Sequence, residues 1–97
     1  MTSNSLVLQA RISEREALRY TPAGLPALNM RLEHESQVLE AGQERLVKLE
    51  VKAVALGTVA ERLEQQSIGT TWTFQGFLAA PRSSKGLVFH IQEFSQD

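Results

Sequence analysis

Residues 57–80 read GTVAERLEQQSIGTTWTFQGFLAA, and the change of pattern inside this stretch decides the fold. In its first half Val59, Leu63 and Ile68 form a narrow apolar stripe, the spacing of about two and a half helical turns. Thr58 stands where a hydroxyl caps a helix N-terminus, Glu61 three residues on completes a capping box, and Gly69 is placed to end the segment. The second half turns to β-branched and aromatic residues, Thr71, Trp72, Thr73 and Phe74, which predict a strand. The lone Gly76 within that strand marks a bulge or a close backbone approach.

Outward from this stretch, the chain alternates with period two. Upstream, a strand runs from about Arg45 to Leu56, with Val47, Leu49, Val51, Ala53 and Ala55 on its apolar face and Lys48, Glu50 and Lys52 on the other. SQVLEAGQE (36–44) interrupts the alternation with Gly42. Before it, Leu28, Met30, Leu32 and His34 alternate with Asn29, Arg31, Glu33 and Glu35, and YTPAGLP (20–26) is a turn. The first strand carries Leu6, Leu8, Ala10 and Ile12. Downstream, the basic tip Pro81–Gly86 leads into a fifth strand in which Leu87, Phe89 and Ile91 alternate with Val88, His90 and Gln92.

The order strand, strand, strand, helix, strand, strand predicts an all-β, five-stranded oligonucleotide-binding barrel, a single domain over residues 1–97, with the short helix between the third and fourth strands. An SH3-like barrel is the rival, and it usually lacks that helix.

With 97 residues, the chain can bury roughly 60–65% of the surface its unfolded form exposes, enough for one small core. No apolar run nears the ~18 residues of a membrane span, and the N-terminus lacks a signal-peptide pattern, so the expectation is a cytoplasmic protein without a membrane partner. Cysteine is absent, which excludes thiolate chemistry. His34 and His90 lack a zinc-ligand spacing, and no nucleophile elbow, triad context or phosphate loop occurs. No metal, cofactor or enzymatic activity is therefore expected. Ten basic residues against eleven acidic exclude nucleic-acid binding by bulk charge, so any such function depends on where the charges lie.

In a barrel of this type a ligand crosses the outer face of strands two and three, between the loops that join strands one to two and four to five. The first jaw, Glu14–Pro26, carries Arg15, Arg19 and Tyr20; the second carries Arg82 and Lys85. Arg31, Lys48 and Lys52 supply a basic floor, interrupted by Glu33, Glu35 and Glu50. Two readings stay open for these residues: contact with the phosphates of single-stranded DNA, or a solvated tip and ordinary cross-strand charge pairing. Tyr20 is either an exposed aromatic or a lid on the loop prolines. Trp72 and Phe74 fall on the core parity, and His34 on the inward parity of strand two, as a structural histidine.

SLVLQARI (5–12), TPAGLPALNMRLEHES (21–36), EAG (40–42) and TFQGFLA (73–79), in that order and at matching intervals, resemble the bacterial primosomal replication protein N family over about residues 5–94. The resemblance implies a small homodimer that binds single-stranded DNA and, with a primosomal helicase and other primosome proteins, helps reload the replication machinery. It favours Arg19, Lys48 and Lys85 as contacts. Two departures stand out. A base-stacking aromatic of the family falls at Lys48 and a loop aromatic at Gln43, while Glu35 replaces a basic residue. Stacking contributes about 1–3 kcal/mol per base, so its loss shifts weight onto phosphate contacts, Arg82 and Lys85 above all. An adaptor that docks primosome partners while binding DNA weakly is the alternative. A general single-strand binding protein fits less well, because the chain stops at FSQD rather than in a long acidic-ended tail.

Overall fold

The computed structural model describes residues 2–82 and 85–96. Ser83 and Ser84, the centre of the expected tip, lie outside the described residues. The elements are β1 (Leu6–Arg15), β2 (Arg19–Tyr20), β3 (Pro26–Glu40), β4 (Gln43–Leu56), α1 (Thr58–Glu64), β5 (Thr71–Ala79) and β6 (Val88–Ser95). They lie in the order β1-β5-β6-β4-β3-β2, and a further β1–β3 pairing closes the five long strands into a barrel. The architecture agrees with an oligonucleotide-binding barrel, α1 standing between the third and fourth long strands. No helix among the described residues is long and apolar enough to cross a membrane.

Closure depends on β1 serving two neighbours. Leu6–Arg11 pairs with β5, and Arg11–Arg15 pairs with β3 across a register shift between Ile12 and Glu14. Inside, Ile12, Leu28, Leu32, Leu63, Phe74 and Phe89 are the largest fully buried side chains. Trp72 packs against this core, edge-on to Phe94 with centroids 5.0 Å apart, while its indole N–H donates to Thr70 Oγ1 at 2.9 Å. Trp72 and Phe74 thus both belong to the interior.

Gly76 is a close-approach glycine: a Cβ there would sit 1.8 Å from the His90 carbonyl oxygen. The bulge itself lies across from it. Gln75 pairs with Glu93 and Gly76 with Ile91, so Gln92 on β6 is the extra residue. That extra residue resets the parity of β6, and Phe94 turns inward beside Ile91 instead of following the alternation outward.

Three local expectations fail for identifiable reasons. Gly57, at φ 77° and ψ −144°, is the N-cap and no side chain caps the helix; Thr58 is already helical, so its capping box does not form. The helix stops at Glu64, which leaves Ile68 beyond it and 53% exposed. The Arg15 guanidinium reaches past the end of the helix and donates to the carbonyls of Leu63, at 3.3 Å, and Gln66.

The third failure is the largest. SQVLEAGQE does not interrupt the sheet: β3 runs on to Glu40, Ala41 and Gly42 take φ of 54° and 79°, and β4 starts back at Gln43. Two successive residues with positive φ are the backbone of a tight two-residue hairpin. The β3–β4 ribbon consequently keeps one register from Ala27↔Leu56 to Glu40↔Gln43. β1 covers β3 only as far as Glu33, and β6 covers β4 only from Lys52 to Ala55. The rest projects as an arm, where Leu49, expected on the apolar inner face, is 41% exposed.

The far side of the barrel is clamped by charge. Arg62 of α1 pairs with Glu93 at 3.2 Å and lies 4.6 Å over the Phe94 ring. The hydrogen bond from Arg62, that from the Phe94 N–H, and the Arg62 charge together hold the Glu93 carboxyl below the usual carboxylate range.

Candidate nucleic-acid interface

Because directly paired residues share a face, the β3–β4 register fixes the outer surface. Asn29 lies opposite Val54, Arg31 opposite Lys52, Glu33 opposite Glu50 and Glu35 opposite Lys48. Beside the first jaw this surface forms a groove of about 310 Å³, lined by Glu14, Arg15, Glu16, Asn29, Arg31, Lys52 and Val88 among others. The short β2 strand sets Arg19 opposite Ala27, and its guanidinium donates to Asn29 Oδ1 at 3.1 Å, on the groove side. A second hollow, of about 610 Å³, opens where β3 leaves β1; it includes Arg11, Glu33, His34, Glu35 and Lys48.

The basic floor is unevenly available. Arg31 is held between Glu50, at 3.0 Å, and Glu14, at 3.5 Å. Lys48 lies 3.9 Å from Glu35, and Arg11 pairs with Glu33. Lys52 is exposed and has no ion pair among the described residues. Exposed pairs of this kind contribute roughly 0–1 kcal/mol each, so a phosphate can compete for the cations, but it displaces two carboxylates at Arg31, one at Lys48 and none at Lys52.

On the first jaw, Tyr20 is 64% exposed and pairs with Pro26, one of the loop prolines. Arg82 and Lys85 are exposed on either side of Ser83 and Ser84. The structure thus brings Arg15, Arg31 and Lys52 to one groove with Arg19 at its edge through Asn29, leaves Lys48 further along the ribbon beside the second hollow, and sets Arg82 and Lys85 in the β5–β6 loop. His34 makes two contacts: its Nδ1 is 2.6 Å from the Gln9 carbonyl oxygen and its Nε2 is 2.7 Å from Ser36 Oγ. A structural histidine that ties the arm to β1 is the result.

One outward feature escaped sequence reasoning. Phe77 and His90 are register partners across β5 and β6, their rings stacked 4.8 Å apart at 11°, and both are half-buried on the outer face. Each falls on the outward parity of its strand, so the signal existed. That the two rings meet depends on the register across the β5–β6 loop, which a single sequence does not give.

Comparison with known proteins follows the same lines. Residues 4–93 match the model of a family described as another single-strand binding protein family. The replication restart protein PriB of Bordetella pertussis is 50% identical over 91 residues, covering 93% of this chain and 85% of that protein. PriB of Neisseria meningitidis serogroup B is 44% identical over 100 residues, covering 97% and 98%. The solved structure of PriB from Ralstonia solanacearum superposes with a TM-score of 0.90 at 40% identity, over 98% of each chain.

Proposed function

The chain belongs to the single-strand binding protein family and, within it, to the replication restart PriB proteins, and from that premise we propose that it binds single-stranded DNA as an accessory protein of replication restart. The strand enters between the jaws. Arg19 and Lys52 take phosphates in the groove, Arg82 and Lys85 take them from the β5–β6 loop, and Tyr20 offers an exposed ring at the entrance. Arg31 and Lys48 contribute less, because each has carboxylates to displace. The observation that carries this reading is Lys52, an exposed cation with no carboxylate partner among the described residues, on the floor of the groove that Arg19 borders.

The active unit is a homodimer of this one domain, working in the cytoplasm with a primosomal helicase and other primosome proteins. From Leu6 to Ala10, β1 pairs on one side only, with β5, and Val7 is 59% exposed. A second copy covers that open strand edge.

The test is a salt titration of oligo-dT binding, with dimer mass measured alongside. If about three phosphates are neutralised, log K falls against log salt with a slope near −2. A salt-independent affinity, or no binding at low salt, overturns the reading.

One observation favours the adaptor reading: the arm exposes Leu39, at 74%, and Leu46, at 56%, beside paired rather than open charges. The double substitution Arg82→Glu and Lys85→Glu separates the two. Loss of oligo-dT binding with retained helicase binding supports the DNA reading, and the reverse supports the adaptor.

A further inference from the structure

We infer that the stacked Phe77–His90 pair is a binding site for a nucleobase, reached by a DNA strand that leaves the groove past Lys52. The inference rests on the single-strand-binding reading and gives it the aromatic contact that the β3–β4 floor lacks. Neither β3 (Pro26–Glu40) nor β4 (Gln43–Leu56) carries a Phe, Tyr or Trp.

The register places the pair next to the groove. Lys52 lies opposite Val88, Val54 opposite His90, and His90 opposite Phe77. Lys52 and His90 are thus diagonal neighbours on one outer face of the parallel β4–β6 pair. One nucleotide can set its phosphate on Lys52 and its base against the rings.

The pair is also not accounted for by the core. Leu78 and Phe89, the next partners along the same ladder, face inward, whereas Phe77 and His90 face out. Of the chain's four phenylalanines, Phe74, Phe89 and Phe94 are buried and Phe77 alone is not. Its surroundings suit an anion's companion base: the outward neighbours are Gln75, Ala79, Val54 and Val88, none of them acidic. Glu93, the nearest carboxylate along β6, is taken by Arg62. The floor of the groove, by contrast, has both Glu14 and Glu50 beside Arg31. An aromatic face without local negative charge accepts any base, since every base has a π-face, so the contact adds affinity without sequence preference.

Two measurements test this. Phe77→Leu, which keeps an apolar side chain of similar size, is expected to weaken oligo-dT binding about tenfold, within the range for one stacked base, and to leave the salt slope unchanged. An abasic oligomer of equal length, with phosphates but no bases, is expected to bind the variant and the unsubstituted protein alike, and Phe77→Tyr to restore oligo-dT binding. Unchanged oligo-dT affinity, or equal weakening towards both oligomers, overturns the inference. Independently of any variant, photo-cross-linking of a 5-iododeoxyuridine oligomer to the unsubstituted protein is expected to label Phe77 or His90. Labelling confined to other residues overturns it as well. If the unsubstituted protein binds neither oligomer at low salt, the single-strand-binding reading has failed and takes this site with it; binding to both oligomers with no effect at Phe77 removes the site alone.

Discussion

The two halves of the β3–β4 ribbon share one register and one alternation, yet their surroundings differ completely. At the barrel end, Leu28, Met30 and Leu32 face Ala55, Ala53 and Val51 and are buried under β1, α1 and the strands across the barrel. At the arm end the same parity is carried on by Val38 and Leu49, both exposed, while Leu39 and Leu46 lie exposed on the opposite face. Alternation decides which way a side chain points; only a third layer of chain decides whether it is dry. Charge differs as well: the arm cations Arg45 and Lys48 are paired, with Glu40 and Glu35, whereas the barrel end holds both the doubly paired Arg31 and Lys52, which has no ion pair among the described residues. A two-stranded ribbon is marginal by itself, so the arm owes its order to the barrel that holds its base.

The strongest way to break this contrast is to open the barrel. Gly76→Ala places a Cβ against the backbone carbonyl of His90, and no rotamer relieves a backbone clash. The expected loss is about 4 kcal/mol or more, read from urea unfolding, with the arm lost together with the barrel. A loss below about 1 kcal/mol would sink the claim that the β5–β6 contact closes the fold.

A direct comparison of the two halves comes next in size. Leu32→Ala, in the closed half, is expected to cost about 2–5 kcal/mol, because it leaves a cavity under β1. Val38→Ala, six residues further along the same strand and on the same face, is expected to stay within about 0.5 kcal/mol in dilute protein. Similar costs at the two positions would mean that the arm is covered in solution.

The contrast also explains what the sequence could and could not disclose. Element order and the inward parity of Ile12, Leu32, Phe74 and Phe89 follow from local periodicity, because a strand's faces are set by its own residues. SQVLEAGQE reads as an interruption because Gly42 breaks the alternation, whereas Ala41 and Gly42 form a tight hairpin between strands that match on both sides. Of the two readings of Gly76, bulge or close backbone approach, the close approach is the one that holds at the glycine, while the extra residue is Gln92 on the facing strand, since a glycine that lets another backbone approach need not be the residue that is out of register. The candidate groove followed from the fold. The availability of its cations did not: that Arg31 meets both Glu14 and Glu50 depends on three strands coming together.

Unequal availability predicts unequal effects on DNA. Lys52→Ala is expected to weaken oligo-dT binding roughly three- to tenfold and to reduce the salt slope by about 0.7, one phosphate's worth for a single strand. Lys48→Ala is expected to change affinity by less than about twofold, because Glu35 already neutralises much of its charge. Glu35→Ala then tightens binding, and only while Lys48 is present. Equal losses at Lys52 and Lys48 would extend the binding track onto the arm and remove the electrostatic difference between the halves.

The smallest expected effect concerns acid. Glu93 is held below the usual carboxylate range by Arg62 and the Phe94 N–H, groups that only the folded barrel assembles. As pH falls, the unfolded chain therefore takes up the Glu93 proton before the folded one does. The stabilisation is complete above the ordinary carboxylate value of 4.5 and disappears as pH drops through the lowered folded value. Urea midpoints measured from about pH 6 down to about pH 3 should show the unsubstituted protein ahead of Glu93→Gln at the upper end and the two converging at the lower. Because the pair is exposed, the gap is small, and it is the convergence that carries the information. A gap that persists unchanged to the lowest pH would assign the loss to the altered contact with Phe94 rather than to the charge.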